Sequence, residues 1–247
     1  MAIPNPYPGP STTSDQTAPT WGLPDAAIGW LVAYVLAMLA GAIVLGAGGY
    51  LETADDAPLT WTMAASVPLW IAFVAVCVVV ADRKGHGWIR DFHVAIKAVD
   101  VPIGVVAGVL SQFVLVVVIS WPILKISGQS AEDLAKPAQD LADKVNGVGG
   151  SLLFMVVVGV IAPFAEELFF RGLVFRALEK RWNRWWALGL SSAAFAFTHF
   201  QLLQFLPLAA AGAVFGYLVI RTDRLGPAIV AHMAFNLSTV AVLLWTS

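Results

Sequence analysis

The stretch Ile161-Ala-Pro-Phe-Ala-Glu-Glu-Leu-Phe-Phe-Arg-Gly172 puts two adjacent carboxylates and an arginine at the end of the apolar run Leu152 to Ala165. Charges in hydrocarbon cost ~3 kcal/mol each on insertion scales, so groups placed there need a reason. On a helix, Glu167 and Arg171 stand four residues apart on one face, with the acid N-terminal as pairing prefers. Glu166 then points roughly 100° away and has no partner in its own helix. The pattern predicts a structural ion pair, Glu167–Arg171, beside a carboxylate left free for chemistry. Pro163 removes a backbone donor and predicts a kink next to the acids. The bland alternative is a charged cluster where the span meets the lipid headgroups.

Four histidines accompany these acids. His86 and His93 lie in a basic polar loop, where solvation explains them. His199 and His232 belong to apolar segments, and ionisable groups there face a cavity or a partner. His199 closes Phe195-Ala-Phe-Thr-His199, one helical turn after Phe195, while His232 and Asn236 share a face one turn apart. A carboxylate and an imidazole can hold one water between them and take its proton. A His and an Asn on one face offer two donors to a tetrahedral oxyanion. Together these groups describe a minimal amide-hydrolysis site. No serine or cysteine stands beside a histidine in these motifs, so a covalent nucleophile is not suggested. No cofactor is favoured; zinc is the alternative, with Glu166, His199 and His232 as ligands and water in the fourth position. The His-Glu-x-x-His signature of such sites is absent.

The elements that must position these groups are apolar helices. Of 247 residues, 59% are hydrophobic and 12% charged, with a mean hydropathy of +0.78. A soluble domain carries about 25% charged residues, so this is an integral membrane protein. A single cysteine, Cys77, excludes an internal disulfide and any multi-cysteine metal site. No basic patch interleaved with aromatics lies outside the juxtamembrane loops, which argues against a nucleic-acid partner. The fold class expected is all-α, a polytopic transmembrane bundle of about seven spans. They run near 26–50, 61–81, 99–126, 149 into the acidic stretch, 185–200, 202–220 and 227–245. Residues 1–20 read as a disordered tail, 21–148 as N-terminal transmembrane helices and 149–247 as the core bearing the motifs. Between spans, Ser130-Ala-Glu-Asp133 resembles a capping box and predicts a short amphipathic helix broken by Pro137. Gly104-x-x-x-Gly108 and Gly212-x-x-x-Gly216 have the spacing that permits close helix packing. Counted at ~1.5 Å per residue, His232 is roughly 8 Å into its span and His199 roughly 21 Å into its own, a mismatch for one site.

Loop charge sets the orientation. Segments 82–98, 171–184 and 221–226 hold 4, 5 and 2 of the 14 Lys and Arg residues. Seven spans place all three on one side, together with the N-terminus, and that side is expected to be cytoplasmic. Several tryptophans, Trp61, Trp121, Trp185 and Trp245 among them, fall near span ends as interfacial anchors do.

Glu166-Glu167-x-x-x-Arg171, Phe195-x-x-x-His199 and His232-x-x-x-Asn236, in this order on apolar helices, resemble the CPBP family. Its members are the type II CAAX prenyl endopeptidases and their bacterial Abi and bacteriocin-processing relatives. The resemblance covers about residues 150–246. It implies a multi-pass cell-membrane endopeptidase, of glutamate type though formerly classed as a metalloprotease. In that reading Glu166 and His199 activate water, and His232 with Asn236 forms the oxyanion hole. Glu167, Arg171 and Phe195 support the site. The implied partners are the bilayer and a membrane-embedded or lipid-anchored substrate, CAAX-type and prenylated or bacteriocin-like. Two other classes use the same residues: a non-catalytic scaffold or immunity protein, and a proton-coupled transporter with Glu and His as its relay. A transporter would be expected to show paired halves, and no such symmetry is visible. The four central residues are expected to meet in one wet cavity, with a mouth toward the basic end or sideways into lipid.

Overall fold

The computed structural model describes residues 18–246. The expected tail therefore lies outside the described residues except for 18–20, where the Thr20 amide donates to the Lys84 carbonyl at 2.7 Å. Among the described residues the structure is helical and contains no strand. In chain order the main helices are α1 (Leu23–Gly48), α2 (Leu59–Lys84), α3 (Asp100–Ser127), α4 (Ala131–Ala142), α5 (Gly147–Glu179), α6 (Arg184–Phe197), α7 (Phe205–Thr222) and α8 (Gly226–Thr246). All but α4 and α6 are long and apolar enough to cross a bilayer. The chain is a multi-pass membrane protein.

Helix α1 shows how such a segment sorts its residues. Ile28, Leu31, Val35, Met38 and Ile43 are exposed on its outer side, where lipid tails make exposure cheap. Its buried positions are small, namely Ala26, Gly29, Ala33 and Gly41. Gly29 admits Val76 of α2, and Gly41 lets the Ala65 carbonyl come within 3.0 Å of where a Cβ would sit. Without a hydrophobic force between helices in lipid, such close packing is what joins them.

One expected span is shorter than the sequence suggests. The 185–200 segment forms α6, with 14 residues, about 21 Å long against a ~30 Å hydrocarbon core. Its far end meets the middle of α1, where the Tyr34 hydroxyl donates to the Thr198 carbonyl at 3.0 Å. Irregular segment 198–204 then leads into α7, which packs back along α6. Six full-length helices and one short leg replace seven equal spans.

The basic segments gather at one end of the bundle, as their spacing predicts. Lys84 pairs with Asp25 at 2.5 Å, Lys180 donates to the carbonyls of Pro19 and Trp21, Arg176 pairs with Asp223, and Arg224 pairs with Asp100. At the opposite end Lys144 donates to the carbonyls of Asp55 and Ala57. Arg171, which sequence spacing groups with the 171–184 loop, is instead fully buried in α5.

Helices α2, α3, α4 and α5 run through Pro68, Pro122, Pro137 and Pro163. In α4 the capping box forms, with Asp133 N donating to Ser130 Oγ and Ser130 N to Asp133 Oδ2. The helix is not broken at Pro137; the pairs Lys136–Asp140 and Gln139–Asp143 on its exposed face offset the one lost backbone bond. In α5 the π-helical turns Val157–Ile161 and Leu168–Val174 bracket the α-helical stretch Ala162–Glu167. The first absorbs Pro163, whose ring would otherwise press on the carbonyl four residues back.

Gly104 and Gly108 of α3 bring in α8. A Cβ at Gly104 would sit 2.6 Å from Val230 Cβ, and one at Gly108 would collide with the Ala231 carbonyl. Helix α8 starts inside the protein, with Leu225 N donating to the His93 carbonyl and Gly226 N to the Ala95 carbonyl. Its first residues are buried. A depth counted from the start of α8 is thus measured from below the surface, which accounts for the mismatch between His199 and His232.

Candidate active site

Helix α5 places Glu166 and Glu167 near the middle of the bundle, between its two π turns. Glu167 is fully buried, and one of its oxygens, Oε1, takes two bonds. Arg171 Nη1 donates to it at 2.8 Å, and His232 Nδ1 lies 2.9 Å away. The ion pair read from the i,i+4 spacing is present, but it also carries a histidine of α8. Arg171 extends the network, its Nη2 donating to the Gly212 carbonyl at 2.8 Å. The guanidinium lies over the Phe195 ring at 4.7 Å and near Phe215 at 5.8 Å. The glycine pattern of α7 serves this arginine, because a Cβ at Gly212 would stand 2.7 Å from Arg171 Nη2.

Glu166 has different company. Its Oε1 accepts from Trp70 Nε1 of α2 at 3.1 Å. Its Oε2 lies 3.8 Å from His232 Nε2, a gap that one water bonded to both can bridge. Neither partner is on its own helix, in keeping with the sequence expectation.

His232 is held on three sides. Its ring stacks on Phe215 with centroids 5.1 Å apart and meets Phe195 edge-on at 5.4 Å. With Nδ1 bonded to Glu167, Nε2 faces Glu166, accepting when the ring is neutral and donating when it carries both protons.

His199 follows the end of α6, where the Phe195 carbonyl has no backbone donor. Thr198 Oγ1 and His199 Nδ1 both bond that oxygen, at 2.6 and 3.0 Å. A carbonyl can only accept, so Nδ1 carries the proton and Nε2 of the neutral ring keeps its lone pair. The next residue, Phe200, adopts a left-handed φ of 53°, a conformation that costs a bulky side chain roughly 1–2 kcal/mol. The chain turns sharply there, and His199 sits at the corner.

Asn236 donates one Nδ2 hydrogen to the Val158 carbonyl at 2.8 Å, an oxygen in the first π turn of α5. Its second hydrogen is left for the cavity. Glu166, His199, His232 and Asn236 line a single cavity of 240 Å³, together with Phe195, Phe215 and Trp70. Phe195 and Phe215, which line the cavity, are buried, as are the neighbouring Arg171, Phe169 and Phe170. Arg171 itself is bonded inward to the Gly212 carbonyl and flanked by the Phe195 and Phe215 rings. The cavity extends toward α4, whose Leu141 lines it.

Spacing alone misses Trp70 and Phe215. A signal for Trp70 exists, since an indole N–H in mid-span must find an acceptor. The zinc alternative fits poorly, because no three His, Cys, Asp or Glu side chains among the described residues are grouped to hold a metal ion.

Comparison with known proteins bears on the same segment. Residues 148–238 match the family described as type II CAAX prenyl endopeptidase, Rce1-like. A Bacillus subtilis (strain 168) protein described as “Putative membrane peptidase YdiL” is 34% identical over 92 residues, covering 37% of this chain and 38% of that protein. The chain thus spans well under half the length of this curated relative. No solved structure matches it. All three motifs, from Glu166 to Asn236, fall within residues 148–238, the part of the chain that is similar to the Rce1-like, type II CAAX prenyl endopeptidase family.

Proposed function

We propose that the chain is an intramembrane endopeptidase that hydrolyses a peptide bond with water activated by Glu166 and His199. One observation supports this above the others: a carboxylate, two imidazoles and an amide, from α5, the end of α6 and α8, line one cavity in an otherwise apolar bundle. Packing needs alone would not gather them, since each costs free energy to place there.

A water in this cavity can donate one hydrogen to Glu166 Oε2 and the other to His199 Nε2. Loss of its proton to Glu166 leaves a hydroxide that attacks the carbonyl carbon and forms a C–O bond. The oxyanion that results is met by the free Nδ2 hydrogen of Asn236 and by His232 Nε2 in its donating form. As the C–N bond breaks, the proton held by Glu166 passes to the leaving amine, and the carboxylate returns to its starting state. Glu167 and Arg171 orient His232 and stay outside the reacting atoms. The substrate is a membrane-embedded or lipid-anchored peptide, consistent with a cavity at mid-depth.

The test is cleavage of an apolar fluorogenic peptide by the detergent-purified chain, with and without a chelator, beside His199→Ala. We expect cleavage that survives chelation and is lost in the variant while its thermal midpoint is retained. Cleavage that His199→Ala leaves unchanged would contradict the assignment, and abolition by chelator would replace it with metal-activated water.

A further inference from the structure

The 240 Å³ cavity is too small to hold a peptide, since sites for drug-sized ligands span ~300–1,000 Å³. It holds the reacting bond, and the rest of a substrate must lie elsewhere. Two recesses adjoin it. The first, of 310 Å³, runs between α3, α4, α7 and α8 and is walled mainly by Val116, Leu134, Phe154, Leu208, Val240 and Leu243. It shares His199, Asn236 and Phe235 with the central cavity. The second, of 770 Å³, lies between α1, α2 and α4 and shares Ser66 and Trp70 with the cavity. Its walls are apolar where α1 faces lipid, and its outer rim carries Asp55, Asp140 and Lys144.

Leu141 of α4 lines all three spaces. One side chain therefore stands where the two recesses and the cavity join. The shared lining residues run in order from the α1–α2 recess through Trp70 to the cavity with Glu166, and from there through His199 and Asn236 to the α3–α8 recess. The helix that roofs this path is fixed at both ends. Gln204 Nε2 donates to the Leu134 carbonyl at 2.6 Å near its start, and Lys144 bonds the Asp55 and Ala57 carbonyls just beyond its end.

We infer that the substrate is an extended, apolar peptide segment threaded beneath α4. The residues on one side of the cut occupy the α1–α2 recess, those on the other side occupy the α3–α8 recess, and Leu141 sets how large they can be at the junction. This rests on the endopeptidase reading above. Extension follows from chemistry and volume, because a helical substrate would keep its carbonyls bonded internally and a 240 Å³ cavity has no room for a helix about 10 Å across. An apolar segment follows from the linings, and the polar rim of the wider recess suits the point where such a segment leaves the bilayer.

The test uses the full chain in detergent and a fluorescently labelled peptide of ten apolar residues, with its two half-length versions. Binding is read by fluorescence anisotropy, on the wild type and on Glu166→Gln so that turnover does not interfere. Ala37→Trp fills the α1–α2 recess, and Ala135→Trp fills the α3–α8 recess. Each should weaken the full peptide at least tenfold, and each should affect only one of the two half-peptides. Leu141→Ala should bind peptides with a bulkier central residue that the wild type rejects. If both tryptophans act on the same half-peptide, or either leaves binding unchanged, the two-recess path is wrong. Binding that behaves as described but is never followed by cleavage in the wild type would keep the path and overturn the endopeptidase reading.

Discussion

Glu166 and Glu167 are neighbours in sequence with separate tasks, because their bonds go to different helices. Glu167 answers to Arg171 and His232 in a site with no solvent. Its removal leaves a buried guanidinium without its counter-charge, so Glu167→Ala should lose roughly 3–5 kcal/mol of stability. Thermal unfolding in detergent would show this as reduced folded yield and a lower midpoint, and an unchanged midpoint would mean the pair is not structural. Trp70 has the opposite profile: its N–H fixes the Glu166 rotamer and joins no other polar group. Trp70→Phe should lower kcat about tenfold, the equivalent of one bond worth ~1.4 kcal/mol, with KM and the thermal midpoint little changed. A change in KM alone would assign Trp70 to binding. The ion pair was legible from an i,i+4 spacing, and the four cavity residues from their cost in lipid. The second bond of Glu167 was not legible, since it joins residues 65 positions apart across two helices.

Helices bring these side chains together through small departures from regularity. The π turns around Ala162–Glu167 absorb Pro163, and the first also offers Asn236 the Val158 carbonyl. Sequence marked the proline and the expected kink; a widened turn is the form the disturbance takes, and nothing local distinguishes the two. Glycine spacing in α7 was legible as close packing, but the group that approaches is the Arg171 side chain as well as a helix. Gly212→Ala would push a methyl against Nη2 and against Phe195, at 2.7 and 3.1 Å. A loss of about 1–3 kcal/mol is expected from such overpacking, measured by thermal unfolding. Full stability would mean that α7 shifts freely. The expected extent of α6 overran, because hydropathy continues past Phe197 into Phe200 and Leu202, which are exposed beyond the helix end. Apolar character reports on lipid contact, whereas the end of a helix is set by the hydrogen bonds that cap it.

At the scale of the molecule, the basic segments share one end and α4 lies toward the other, so charge asymmetry and packing agree on the arrangement. By the positive-inside rule the basic end is expected to be cytoplasmic. A membrane-impermeant maleimide should label Gln139→Cys in intact cells and His86→Cys only after permeabilisation. Cys77 is fully buried and bonded toward the Leu168 carbonyl, so it should stay silent. Equal labelling of both positions from one side would reverse or break the topology. Glu166 is proposed as the base in this cavity, and replacing its carboxylate by an amide of equal size tests that role. The rate of apolar-peptide cleavage by purified Glu166→Gln, set against the wild type at matched thermal midpoint, should fall by about 10²–10⁴-fold; a variant that is equally folded and cleaves at the wild-type rate would contradict it.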